Sequence, residues 1–190
     1  MEGEIMAATN TPVCDFGRPA VDFDLFGVDN RRHTLADVRG PKGTLVMFIC
    51  NHCPYVRRIV QPLVRDVHQL MAEGIGAIAI MPNDTDSYPD DSFERMRHHA
   101  IEWGFGFPYV IDESQTVAKG YGAICTPDFF GYDADLKLQY RGRFDDGGAT
   151  GSGSGRHELL EAMRLIAETG EGPREQSPSI GCSIKWRRHA

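Results

Sequence analysis

Thr44-Leu45-Val46-Met47-Phe48-Ile49 is an apolar run that passes through Cys50-Asn51-His52-Cys53 directly into a segment of helical period. Val56, Ile59, Val60, Leu63, Val64, Val67, Leu70 and Met71 recur at a spacing that places them on one helical face. Arg57, Arg58, Arg65, Asp66 and Gln69 take the other face. A second apolar run, Gly76-Ala77-Ile78-Ala79-Ile80, follows. A strand, a helix and a strand in that order pair in parallel through a right-handed crossover. The chain is thereby committed to an α/β architecture with a parallel pair near its centre.

The junction between strand and helix carries the chemistry. Pro54 suits the first helical position, where its missing N–H is not needed and its φ is already helical, so Cys53 falls at the N-cap. There the sulfur can receive the free amides of Tyr55 and Val56, and the helix dipole favours its anion. Cysteines so placed have pKa values of roughly 3.5 to 7.5 instead of about 8.5. Cys50 is a candidate disulfide partner if Asn51 and His52 form a turn, and His52 is placed to hold the Cys53 thiolate as an imidazolium. The same residues fit a rival chemistry: Cys50, His52 and Cys53 can bind a soft ion such as Cu(I) or Zn, completed by Cys125 or Cys182.

Around this core the sequence reads as one domain over residues 14–170, with a flexible lead at 1–13 and a C-terminal tail at 171–190. Val21-Asp22-Phe23-Asp24-Leu25 alternates, turn residues occupy 27–30, and the chain resumes at 31–35, which predicts an N-terminal β-hairpin followed by a helical turn at 36–38. A helix is expected over 92–103 and a strand over 107–111. Asp112 and Gln115 resemble a capping box opening a helix that Gly122 stops. Residues 128–132 and 138–142 read as an antiparallel pair. The glycine-rich stretch 147–155 reads as a flexible surface loop. Leu159, Leu160, Met163, Ile166 and Ala167 supply the last helix with an apolar face, and Cys182, Ile184 and Trp186 suggest that the tail returns to the domain.

Composition excludes several roles. The net charge is −7, and the basic residues are spread thinly apart from three Arg-Arg pairs, so no nucleic-acid footprint stands out. The longest apolar run is far shorter than a membrane span, and the N-terminus lacks the basic and hydrophobic regions of a signal peptide. A cytoplasmic location is the expectation. Five cysteines in such a chain point to catalysis, redox sensing or metal binding more than to a disulfide framework.

The run Cys50-Asn51-His52-Cys53-Pro54-Tyr55-Val56, with Pro82-Asn83-Asp84, Phe107-Pro108-Tyr109, Cys125-Thr126-Pro127-Asp128-Phe129-Phe130, Tyr140-Arg141-Gly142-Arg143-Phe144-Asp145-Asp146 and Ser179-Ile180-Gly181-Cys182-Ser183-Ile184-Lys185-Trp186, resembles the peroxiredoxin-like group of the redoxin or AhpC/TSA superfamily. The resemblance implies a thioredoxin-like fold: a central mixed β-sheet flanked by helices. It also implies a cis-proline facing the active cysteine, a place taken here by Thr126-Pro127, which brings Cys125 near the thiol. Two registers remain open. One treats Cys50 and Cys53 as a C-x-x-C dithiol. The other aligns Cys53-Pro54-Tyr55-Val56 with C-P-Y-C and makes Cys53 the attacking thiol, which the N-cap position favours. The peroxidatic pattern P-x-x-x-[TS]-x-x-C fits neither cysteine, because Gly43 and Met47 precede Cys50 while Val46 and Cys50 precede Cys53.

The expectation is therefore a thiol-disulfide oxidoreductase or peroxiredoxin-like antioxidant protein, with disulfide exchange favoured over peroxide reduction. Cys53, Cys50 and Cys125 are the catalytic candidates and Cys182 a resolving one. Asn51, His52, Pro54, Tyr55, Thr126, Pro127 and Arg143 support them, Tyr55 as a groove wall and Arg141 or Arg143 as an anion holder. The partners would be a protein or small-molecule disulfide, or a peroxide, together with an external thiol reductant. The cycle needs no organic or metallic cofactor. The alternatives are a copper- or zinc-binding protein and a redox-inactive binding module of the same fold.

Overall fold

The computed structural model describes residues 8–147 and 153–188. In chain order the strands are β1 (Ala8–Asn10), β2 (Asp24–Gly27), β3 (Arg32–Thr34), β4 (Thr44–Phe48), β5 (Gly76–Met81), β6 (Tyr109–Ile111), β7 (Cys125–Thr126), β8 (Asp128–Tyr132), β9 (Leu138–Tyr140) and β10 (Ile180–Ser183). The helices are α1 (Leu35–Val38), α2 (Pro54–Ala72), α3 (Phe93–Glu102), α4 (Thr116–Tyr121) and α5 (Glu158–Thr169), with a 3-10 turn at Pro89–Asp91.

Seven strands form the central mixed sheet in the order β3-β2-β6-β5-β4-β8-β9. As the β-α-β pattern requires, β4 and β5 are parallel, and β6 joins β5 in parallel. The N-terminal hairpin forms as β2 and β3, and β8 pairs antiparallel with β4 and β9. This is the thioredoxin-like arrangement. Because successive strand side chains point to opposite faces, Leu45 and Met47 pack under α2, α3 and α5, while Val46 and Phe48 pack under α1 and α4. Both faces of β4 are covered, which is why its sequence is continuously apolar.

Helix α2 buries Val56, Ile59, Val60, Leu63, Val64, Val67 and Leu70, as their period predicts. Met71, expected on the same face, is 37% exposed at the helix end. Pro62 lies inside α2 without ending it. Proline has no N–H for the carbonyl four residues back, and the buried Ile59 and Leu63 beside it hold the helix through that gap.

Two expectations need correction. The lead is not flexible throughout, since Ala8–Asn10 is a strand that pairs with β10. Asp112 and Gln115 do not form a capping box. Gln115 sits at φ +61° before α4 and makes no side-chain cap, while Asp112 accepts from the Ala118 amide at 2.8 Å. The reason lies in the Gln115 amide group. It donates to the carbonyls of Pro82 and Lys185 at 2.8 and 2.9 Å and accepts from the Arg187 amide at 2.8 Å, and these bonds hold a backbone conformation that non-glycine residues seldom adopt. Finally, of the glycine-rich stretch expected to be a loop, residues 148–152 lie outside the described residues.

The tail returns as predicted, and it does so as a strand. β10 lies between β1 and β7 in a separate three-stranded sheet, with Cys182 opposite Thr126 and Ser183 opposite Cys125. Beyond it, the Lys185 amide donates to Asn83 Oδ1 and the Asp84 amide to the Lys185 carbonyl, each at 2.9 Å. Ile184 is buried, and Trp186 stays partly exposed with the Lys119 ammonium 5.6 Å from its ring centre.

Gly181 is what lets this strand come so close. A Cβ there would lie 2.2 Å from the Thr126 carbonyl oxygen and 3.0 Å from the Pro127 nitrogen. Gly181→Ala should therefore push β10 outward at a cost of about 1–3 kcal/mol. Amide hydrogen exchange should show a loss of protection of about 5- to 150-fold in β10 and β1, with β4 and β5 unaffected. Unchanged protection in β10 would contradict this packing.

Candidate functional site

The strand-to-helix junction, the Thr126-Pro127 segment and the returning strand converge on one sulfur. Cys53 is the N-cap of α2, in extended conformation with Pro54 following it in the first turn, and its side chain is fully buried. The Thr126-Pro127 peptide bond is cis, the geometry the resemblance implied. From β7 the Thr126 carbonyl stands 3.1 Å from Cys53 Sγ, and from β10 Cys182 Sγ also stands 3.1 Å away. Cys50 is 3.3 Å from the Thr126 hydroxyl and hydrogen-bonds Cys53 as well. All five cysteines are free thiols.

The Cys53 pKa is driven far below the ordinary thiol value. Hydrogen bonds from the Cys182 and Cys50 thiols act most strongly, burial opposes them, and the amides of Val56 and Cys182 add to the lowering. Of the two helix amides expected to serve the sulfur, Val56 contributes, although no close side-chain cap bond is made. The neutral thiol has a partner of its own in the Thr126 carbonyl, which works against ionisation; two S–H donors and two amides outweigh it. The donors move the other way. Cys182 is raised, first by its bond to the Cys53 sulfur and then by burial. Cys50 is raised first by burial and then by the same bond.

The CNHC turn is pinned from behind by Asp91, a fully buried carboxylate. Asp91 accepts from the Asn51 amide and from Asn83 Nδ2, both at 2.8 Å. His52 Nδ1 forms a close ion pair with Asp91 Oδ2 at 2.7 Å. Asp91 beside it raises the imidazole pKa, against burial, and the Cys53 charge raises it further. The imidazole ring also lies parallel to that of Tyr88, with centres 6.0 Å apart. Asn51 has a structural part: its side chain donates to the Asp90 carbonyl and accepts from the Tyr109 hydroxyl, at 3.1 and 2.9 Å.

The remaining candidates are placed with equal clarity. Tyr55 and Pro127 line a cavity of about 200 Å³ with Arg58, Arg143, Ser179 and Ile180. Arg143 is held by Glu158 through two bonds of 2.8 Å, and Arg58 pairs with Asp145 at 2.8 Å. Arg141 forms a buried pair with Asp128 at 2.9 Å. Both guanidiniums are therefore paired with carboxylates. Cys125 lies close by but is fully buried; its pKa is raised by that burial, and its thiol donates to the Pro127 carbonyl at 3.5 Å.

Asp91 and Asn83 are the site residues that sequence reasoning missed. Asn83 stood inside a quoted motif and Asp91 looked like a helix-start signal. A signal was present in that Asp91 closes a polar loop beginning at Pro82-Asn83-Asp84, but nothing local says that the carboxylate turns inward to residue 51.

Residues 16–141 match the AhpC/TSA family. The chain is 28% identical over 124 residues to thiol-disulfide oxidoreductase ResA of Geobacillus thermodenitrificans, a match spanning 65% of this chain and 66% of that protein. An uncharacterized conserved protein from Geobacillus kaustophilus is 42% identical with a TM-score of 0.92, over 97% of this chain and 99% of its own. A hypothetical protein from Sinorhizobium meliloti is 36% identical with a TM-score of 0.91, over 95% and 100% of the two chains. Among the described residues no helix is long and apolar enough to cross a membrane.

Removing the Cys182 donor tests the electrostatics. A hydrogen bond to a charged group contributes about 1.5–3 kcal/mol, so Cys182→Ala should raise the pH midpoint of Cys53 alkylation by about one to two pH units. The sign follows because the lost bond favours the anion. Alkylation kinetics against pH with mass mapping read the midpoint, and an unshifted one would contradict the assignment.

Proposed function

The chain belongs to the AhpC/TSA family of thioredoxin-like redoxins, and from that membership we propose that it is a thiol-disulfide oxidoreductase working through Cys53 and Cys182. The observation that carries this reading is the 3.1 Å approach of the two sulfurs, one inclined to ionise and the other to remain protonated. A disulfide needs about 2.05 Å between sulfurs, so a shift of roughly 1 Å closes the bond.

The Cys53 thiolate attacks one sulfur of a substrate disulfide. That S–S bond breaks, Cys53 is left in a mixed disulfide, and the departing thiolate takes a proton from solvent or from His52, which lies between Asp91 and the site. Once Cys53 is no longer an anion, Cys182 loses the neighbour that raised its pKa and can ionise. Its thiolate attacks Cys53 Sγ, forming the Cys53 to Cys182 disulfide and releasing the second substrate thiol. The substrate gains two electrons and the protein loses two, which an external dithiol restores. Cys50 serves as an S–H donor to the Cys53 anion, and Cys125 takes no part.

Entry requires β10 to move, because it covers the buried Cys53 sulfur. The cavity beside Tyr55, Pro127 and Ile180 is the natural approach for a disulfide. Peroxide reduction would share the first nucleophile, giving a sulfenic acid that Cys182 could resolve with loss of water. Disulfide exchange is the better supported of the two because a second thiol already stands 3.1 Å from Cys53, while Arg141 and Arg143, the cations that would polarise a peroxide, are paired with Asp128 and Glu158.

Reaction of the reduced protein with a chromogenic aromatic disulfide is the test. The unsubstituted chain should release one leaving thiol rapidly and a second as Cys182 resolves, and mass mapping should find Cys53 joined to Cys182. Cys182→Ser should stop after the first release with the adduct on Cys53, and Cys53→Ser should lose the fast phase. A Cys50 to Cys53 disulfide, or a fast phase surviving in Cys53→Ser, would overturn the assignment.

A further inference from the structure

At the CNHC turn, ligand atoms of Cys50, His52 and Asp91 all lie within 4.8 Å of one another. We propose that Cys50 Sγ, the His52 imidazole and the Asp91 carboxylate form a Zn2+ site beside the disulfide-forming pair. Tetrahedral zinc has bonds of about 2.3 Å to sulfur, 2.0–2.1 Å to imidazole and 2.0–2.2 Å to carboxylate. Ligand atoms around it are then about 3.3–3.6 Å apart, which the existing spacing reaches with small side-chain rotations.

Three further observations point to a cation. His52 Nδ1 is buried and ion-paired with Asp91 Oδ2 at 2.7 Å without an aligned hydrogen bond, and a bound ion would give that nitrogen a directed partner. Asp91 is oriented by the Asn51 amide and by Asn83 Nδ2, the kind of outer support that fixes carboxylate ligands. Charge also balances. Binding displaces the proton of Cys50, and one thiolate and one carboxylate neutralise the dication in a buried place. The Lys185 ammonium, 5.7 Å from the Tyr88 ring centre and near enough to lower the His52 pKa, is the cation that opposes binding. The adjacent Cys53 anion offsets it.

The donor set selects the ion. A thiolate and an imidazole disfavour Mg2+ and Ca2+, and a carboxylate disfavours Cu(I), whereas mixed S, N and O donors suit zinc. Cys182 is not a ligand, so this site and the disulfide pathway can fail independently. An occupied site would take the Cys50 S–H away from Cys53 and put positive charge in its place.

The experiment is an anaerobic titration of the reduced full chain with Co2+ as a spectroscopic stand-in, followed by displacement with Zn2+. One equivalent should bind with tetrahedral d–d intensity and a thiolate-to-cobalt charge-transfer band, and zinc should displace it. Cys50→Ser and His52→Ala should each weaken binding by more than about 100-fold, and Asn83→Ala, which removes only outer support, by about 10–100-fold. Cys182→Ser should bind as the unsubstituted chain does, with near-ultraviolet circular dichroism reporting that each variant is folded. Sub-stoichiometric binding by the unsubstituted chain would overturn the proposal. So would loss in Cys182→Ser with retention in His52→Ala, because that pattern places the ion among sulfurs alone.

Discussion

The contact between the Cys53 and Cys182 sulfurs depends on a strand that arrives 129 residues after the first of them. No covalent bond holds that strand. β10 is kept in place by pairing with β1 and β7, by burial of Ile184, and by the Lys185 backbone bonds to Asn83, Asp84 and Gln115. These tethers also reach the site from behind, because Asn83 bonds Lys185 on one side and Asp91 on the other. The tail is thus part of the site's construction. The same strand that supplies a thiol donor to Cys53 also closes it from solvent.

Burial and ionisation pull in opposite directions at this sulfur. Removing a thiolate from water is unfavourable unless it is hydrogen-bonded, and an isolated cysteine this buried would remain a thiol. Cys125 shows that outcome one strand away: it is equally buried, has no comparable donors, and its pKa rises. Cys53 differs in its neighbours, two thiols and two amides arranged around the N-cap. The reactive character of the junction therefore comes less from the helix end alone than from the sulfurs gathered at it.

Much of the scaffold was legible because it rests on local periodicity. The apolar run of β4, the single buried stripe of α2, the parallel partner at β5 and the stop at Gly122 each follow from spacing or from one residue type. The apolar residues near Ile184 likewise announced that the tail docks. What escaped was set by distant partners. β1 is the polar tripeptide Ala8-Thr9-Asn10 with alternating exposure, so nothing in its composition marks a strand until β10 is beside it. Gln115 looked like a cap residue, yet its side chain is claimed by Pro82, Lys185 and Arg187. Asp91 became a site residue only because the chain folds it against Asn51, and the pairing of Cys53 with Cys182 over the nearer Cys50 needed the register of β10.

The most direct measurement is a nuclear magnetic resonance titration of the reduced protein carrying 13Cβ-labelled cysteine, which reads the ionisation of each sulfur separately without chemical modification. The account predicts that Cys53 alone shows the thiolate shift at neutral pH, with Cys50, Cys125 and Cys182 remaining protonated into the alkaline range. A Cys53 resonance that keeps its thiol position through neutrality would contradict it.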